Sequence, residues 1–165
     1  MGVSMTGNRW PIVVLGIGNI LLRDEGVGVR VAEQMLSINL PREVEVVDGG
    51  TAGADLLDVI CNRRKVIIID AVDADVPPGT ILRTKPEEVN SDTSGRISLH
   101  ELGIIETLAM AKMLNSSPEE VVLIGIKPDQ IGCGLELSPE VAAAIPAAVR
   151  LVMQEISASA REHPC

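Results

Sequence analysis

The sequence predicts an α/β fold, a three-layer α/β/α sandwich around a mostly parallel, twisted sheet of about five strands. Short apolar runs alternate with segments of helical period along the whole chain. The runs Ile12–Leu15 and Lys65–Asp70 are almost continuously apolar, the pattern of strands buried on both faces. The chain has 165 residues, 46% of them hydrophobic, which suits a single domain with its own core over 1–165.

Ile12–Leu15 ends in Gly, and the following segment, Gly26–Leu36, places Val27, Val31 and Met35 on one helical face. Val44–Val47 reads as a second strand closed by Asp48-Gly49-Gly50, and Ala54–Cys61 as a short helix. Lys65–Asp70 is the third strand, marked as central by Ile67–Ile69. Thr80–Arg83 follows the Pro77-Pro78-Gly79 turn as a fourth. Ser98 and Glu101 have capping-box spacing ahead of a helix through Leu114. Val121–Ile124 is a further strand, and Ser138-Pro139-Glu140 starts the last helix with Pro at its first position. Pro146 is expected to kink or split that helix. Residues 1–10 and 158–165 are expected to fray.

Composition excludes several function classes. A net charge of −9, with one Trp and neither Phe nor Tyr, argues against nucleic acid, for want of both positive charge and stacking platforms. No run reaches the ~18 apolar residues of a membrane span, so no membrane insertion is expected. Cys61, Cys133 and Cys165 lie far apart, with no CxxC spacing for a thiolate zinc site and an odd number for a disulfide framework. A reducing cytoplasm and a monomer are expected. Cys133, in the Gly132-Cys133-Gly134 stretch, reads as a small buried or loop residue.

The stretch PIVVLGIGNILLRDEGVG poses the functional question. Gly16 and Gly18 match the first two positions of the dinucleotide fingerprint G-x-G-x-x-G, with Asp48 as its acid, but the third position falls on Leu21. Asp24 and Glu25 would repel a pyrophosphate there. A plainer role for the two acids is to favour the helix N-terminus, at ~0.3–1 kcal/mol each. Asp70, ending an apolar strand, also fits a cap or loop anchor.

His100 is one of two histidines. With Ser98 as N-cap it is the second helical residue, where the helix dipole favours the neutral imidazole that a metal ligand requires. Glu25, Asp70 and His100 all fall near the carboxyl edge of one sheet, where α/β folds bind ligands. Two carboxylates and one imidazole suit a borderline divalent cation, which also relieves the repulsion between the acids.

The residues resemble a known family, the maturation endopeptidases of nickel–iron hydrogenases. VLGIGNILLRDEGVGVRV resembles its N-terminal signature and VVDGGTAGADLL its second block. VIIIDAVDADVPPGTI, SLHELGI and LIGIKPDQIGCGLELSPEV follow in the family's order. The resemblance implies an enzyme that removes a C-terminal extension from the hydrogenase large-subunit precursor after nickel insertion. It implies that Glu25, Asp70 and His100 hold nickel, or another divalent cation in its place, supplied by the precursor, with Asp48 a further acid beside the site. Many relatives carry Asp-Asp-Gly where this chain has Asp24-Glu25-Gly26.

No Ser-His-Asp or Cys-His arrangement stands out. Two routes to peptide hydrolysis remain open: a metal that polarises the scissile carbonyl and activates water, or a carboxylate, Asp48 or Asp24, acting as base in aspartyl fashion. The segment Ala71–Gly95, rich in Asp, Pro, Ser and Gly, is expected to form a flap over the bound C-terminus. The alternatives are a non-catalytic chaperone that binds nickel or the precursor, and a Rossmann-type nucleotide-binding enzyme.

Overall fold

Apolar residues and one glycine fill β1 (Ile12–Ile17), and all six positions are buried. Such a strand needs cover on both faces, and its neighbours supply it. The computed structural model describes residues 10–52, 54–88 and 99–162; the side chains of 54, 99–102, 160 and 162 lie outside the description. After β1 come α1 (Val27–Leu36), β2 (Val44–Gly50), α2 (Leu57–Ile60), β3 (Lys65–Ala71), β4 (Ile81–Thr84), α3 (Leu99–Met113), β5 (Glu120–Ile126) and α4 (Pro139–Glu162). Single 3-10 turns at Asp24–Gly26 and Ala54–Leu56 lead into α1 and α2.

The five strands form one sheet in the order β2-β1-β3-β5-β4. β1 pairs in parallel with β2 and β3, and β3 with β5. β4 runs antiparallel to β5 at the edge. The sheet is therefore mostly parallel, as expected, and β3 is central.

Side chains alternate between two cores, as strand geometry requires. On β3, Ile67 and Ile69 join Val27, Val31 and Met35 of α1 and Val152 of α4. Val66 and Ile68 join Ile60 of α2 and Ile104 of α3 on the opposite face. The three layers are thus α1 with α4, the sheet, and α2 with α3.

Two expectations about α4 are corrected. Pro146 does not split the helix, which runs unbroken for 24 residues. Proline removes one N–H and so releases the carbonyl of Ala142, four residues earlier. Both Ala142 and Pro146 are exposed, so water reaches the released group. The tail also stays helical beyond residue 158, to Glu162. Ile156 and Ser159 are buried there, and Arg64 Nε donates to Ser159 Oγ at 3.3 Å. The stretch Pro139–Ser159 is long and apolar enough to cross a membrane by length and composition, although Glu140, Arg150 and Glu155 interrupt it and no continuous apolar run of that length exists in it. Its Val141, Ala148 and Val152 pack on the sheet.

The segments 1–9 and 89–98 lie outside the described residues, and with them Ser98 and the end of the expected flap, 89–95; the rest of that segment is described, and its Ile81–Thr84 is tied into the sheet as β4.

Candidate active site

The chain leaves β1 for β2 in one direction and reaches β3 on the other side of β1. That reversal opens a crevice at the carboxyl ends of β1 and β3, the usual ligand position in such sheets. Glu25 lies in the turn that follows β1, and Asp70 lies at the end of β3. The turn packs against β3. Gly28, three residues past Glu25, lies so near the strand ends that a Cβ there would collide with the carbonyl oxygens of Ile17 and Ile69. Only glycine lets the first turn of α1 approach the backbone just before Asp70. The turn that carries Glu25 thus lies against the strand that ends in Asp70.

Asp70 is 6% exposed, and its Oδ1 accepts a hydrogen bond from the Ala71 N–H at 2.8 Å. By strand alternation its side chain falls on the α2–α3 face, with Val66 and Ile68. Asp70 Oδ2 and Glu25 Oε2 are both shut off from solvent. His100 is the second residue of α3, one turn ahead of Ile104, which packs on that same face. Its side chain lies outside the described residues. Among the described residues no group of three His, Cys, Asp or Glu side chains could hold a metal ion. The donor chemistry fits a divalent cation: two shielded carboxylate oxygens, with a helix that starts in Leu99-His100 on the face of Asp70.

Asp48 stands on the other side of β1. It is exposed, and its Oδ1 accepts the Gly50 N–H at 2.9 Å. In the sheet register Gly16 pairs with Asp48 on one side and with Ile69 on the other. The backbones of Asp48 and Ile69 are therefore roughly 10 Å apart, two strand spacings. The Gly18 N–H donates to the Gly50 carbonyl at 2.8 Å, which joins the end of β2 to the Gly-x-Gly turn.

Gly18 has φ +135°, a conformation that side-chain-bearing residues rarely adopt, and a Cβ there would run into the Glu25 carbonyl oxygen. Gly18→Ala is expected to cost about 2–4 kcal/mol through backbone strain and the clash. Urea unfolding measures it, and an unchanged midpoint would remove the tight support beneath Glu25.

Asp24, the other base candidate, has a different situation. It is 0% exposed. Its Oδ2 accepts from the Asp129 N–H at 3.0 Å, the Gln130 N–H at 2.7 Å and Ser138 Oγ–H at 2.7 Å. Its Oδ1 accepts from the Ser138 N–H at 2.7 Å. Burial pushes this carboxyl up, but the hydrogen bonds from Gln130, Ser138 and Asp129 outweigh it and hold the pKa below the ordinary value. A weakly basic group without access to water is a poor general base, and the geometry speaks against Asp24 in that role. Sequence reasoning missed this use of Asp24, and with it Ser138, because the partners lie 105 to 114 positions away.

Cys133 is exposed in the loop between β5 and α4, and its carbonyl lies 3.5 Å from Arg23 Nε. Lys127 Nζ meets Asp73 Oδ1 at 2.6 Å, tying that loop to the segment after β3.

The sequence model of the HycI family, hydrogenase maturation protease, matches residues 29–155. The Hydrogenase 2 maturation protease of Escherichia coli (strain K12) is 39% identical over 153 residues, covering 92% of this chain and 93% of that protein. The hydrogenase expression/formation protein HupD of Thiocapsa roseopersicina is 37% identical over 153 residues, 88% of this chain and 67% of that one. The solved structure of the hydrogenase maturating endopeptidase HybD from E. coli superposes with a TM-score of 0.81 at 38% identity, covering 92% of each chain. Fold and sequence agree over almost the whole length: the chain belongs to the hydrogenase maturation protease family and is a peptidase.

Proposed function

We propose that this chain removes the C-terminal extension from the large-subunit precursor of a nickel–iron hydrogenase once nickel has been inserted. It recognises the substrate-borne nickel through Glu25, Asp70 and His100. The observation that supports this reading is that Glu25, in the turn packed against β3, and Asp70, at the end of β3, each have a carboxylate oxygen shielded from water. A cation that arrives with the substrate would offset the repulsion between two such acids. Selectivity follows physically: a nickel-free precursor lacks the central contact, and a loss of ~4 kcal/mol of binding weakens affinity about a thousandfold.

Asp48 is the better base. It is open to solvent where Asp24 is not, and it stands across β1 from the crevice. Water is the nucleophile, Asp48 takes its proton, and the carboxylates at the crevice hold the substrate in place. We assign the reaction to the cytoplasm, where a chain with isolated cysteines keeps its thiols reduced, and read the enzyme as a monomer.

Incubation with nickel-loaded and nickel-free precursor, followed by intact-mass analysis, tests the reading. The loaded precursor is expected to lose one C-terminal fragment and the nickel-free form to stay whole. Equal cleavage of both removes nickel as the recognition signal. An intact mass in both arms, with the precursor bound, makes the protein a holding chaperone.

A further inference from the structure

We propose that Asp24 is the positioning residue of this site: its buried carboxylate clamps the turn after β1 to the loop between β5 and α4, and so fixes the orientation of Glu25 next to it. The proposal rests on the reading of Glu25 as a nickel ligand.

The clamp has two layers. In the backbone, the Arg23 N–H donates to the Gly134 carbonyl at 3.0 Å, the Gly134 N–H to the Leu21 carbonyl at 3.0 Å, and the Asp24 N–H to the Gln130 carbonyl at 3.2 Å. In the side chains, Asp24 accepts the four bonds from Asp129, Gln130 and Ser138, all at 3.0 Å or less. Arg23 Nη1 adds a bond to Gln130 Oε1 at 2.8 Å. Every one of these partners belongs to the β5–α4 loop except Leu21.

The clamp holds a bend that the chain does not favour by itself. Arg23 has φ 55° and ψ −118°, an uncommon conformation for a residue with a Cβ. Such a conformation persists only where the surroundings over-determine it, and such residues gather at functional sites. The bend lies two residues before Glu25 and sets the direction in which the turn enters the crevice. Neutral caps could serve a turn of this kind. A fully buried carboxylate that accepts three backbone N–H groups and one hydroxyl specifies a single geometry, the property a ligand-bearing turn needs.

Asp24→Asn replaces one acceptor oxygen by a donor, so in either orientation at least one backbone N–H faces another donor. Calorimetric titration of the purified enzyme with Ni2+ reads the consequence without turnover. Loss of an outer-shell partner lowers metal affinity by about 10- to 100-fold, the fall expected for Asp24→Asn. Glu25→Gln is expected to weaken Ni2+ binding as well, and Asp24→Asn added to Glu25→Gln to change nothing further, since both act through one carboxylate. Ser138→Ala removes only the hydroxyl bond and serves if Asp24→Asn fails to fold; its Ni2+ affinity is expected to fall severalfold with little change in melting temperature.

A folded Asp24→Asn with wild-type Ni2+ affinity, or a Ser138→Ala with wild-type affinity where Asp24→Asn does not fold, overturns the proposal, as does strict additivity with Glu25→Gln. If Glu25→Gln itself binds Ni2+ normally, the nickel reading of Glu25 fails and the positioning role falls with it. That outcome differs from one in which Glu25→Gln alone is impaired.

Discussion

Asp48→Asn is expected to slow cleavage of nickel-loaded precursor about 10²- to 10⁴-fold while leaving its binding intact, the scale of loss when a general base is removed. The expectation follows from where the acids lie. Asp48 is exposed, and its backbone is separated from the β3 end by the width of β1. It can meet a water beside the scissile bond without competing with Glu25 and Asp70 for the proposed nickel. On the proposed reading those two act on recognition. Glu25→Gln and Asp70→Asn are therefore expected to raise KM for the precursor, and Asp48→Asn to lower kcat with KM nearly unchanged. Asparagine keeps the shape of the turn, and its side-chain oxygen can still accept the Gly50 N–H bond, so folding is preserved. Single-turnover cleavage with saturating precursor separates the two classes. Wild-type kcat in Asp48→Asn would move the base elsewhere, and a raised KM alone would make Asp48 a binding residue.

The strands were legible where burial dictates composition. β1 and β3 are covered on both faces, so nearly every position had to be apolar and the runs stood out. The acids after their ends stood out against those runs, but a carboxylate there can equally be a cap or loop anchor, so only the combination of Glu25, Asp70 and His100 pointed to a site. The antiparallel direction of β4 was not predicted: it is four residues long, and its pairing depends on the path of the chain after β3. Asp24 was misjudged because its neighbours in sequence do not explain it; the groups that bury it come from a loop more than a hundred positions later. Lys65 escaped notice similarly. It opens an apolar run that is silent on its partners, and it is 2% exposed. Hydrophobic period reports which face is inside, and says nothing of which distant polar partner makes a buried charge tolerable.

That partner is Glu155, and its removal has a large expected effect on stability. Lys65 Nζ lies 2.9 Å from Glu155 Oε2 and also donates to the Glu155 carbonyl at 3.1 Å. Glu120 Oε2 is 3.2 Å from the same ammonium, and Arg83 pairs with Glu155 from the surface side. The cluster ties the start of β3 to α4 and to the edge strand, at the end of the sheet away from the crevice. Burial pushes the Glu155 carboxyl up, but hydrogen bonds and charge from Arg83 and Lys65 win and hold its pKa below the ordinary value. Glu155→Ala leaves the Lys65 ammonium buried with only the more exposed Glu120, and is expected to cost about 3 kcal/mol, the lower end for breaking a buried pair. At this chain length that lowers Tm by roughly 6–12 °C. Because the folded pKa is depressed, the stabilisation is complete above the unfolded pKa and disappears as pH falls through the folded one. The gap between wild type and Glu155→Ala should thus hold through neutral pH and close only in acid. Lys65→Met combined with Glu155→Leu is expected to recover much of the loss, since neither charge then stays buried alone. Urea midpoints across pH measure all three proteins. A Glu155→Ala variant within 1 kcal/mol of wild type at pH 7, or a gap that widens on acidification, would mean that Glu120 alone suffices to hold the buried lysine.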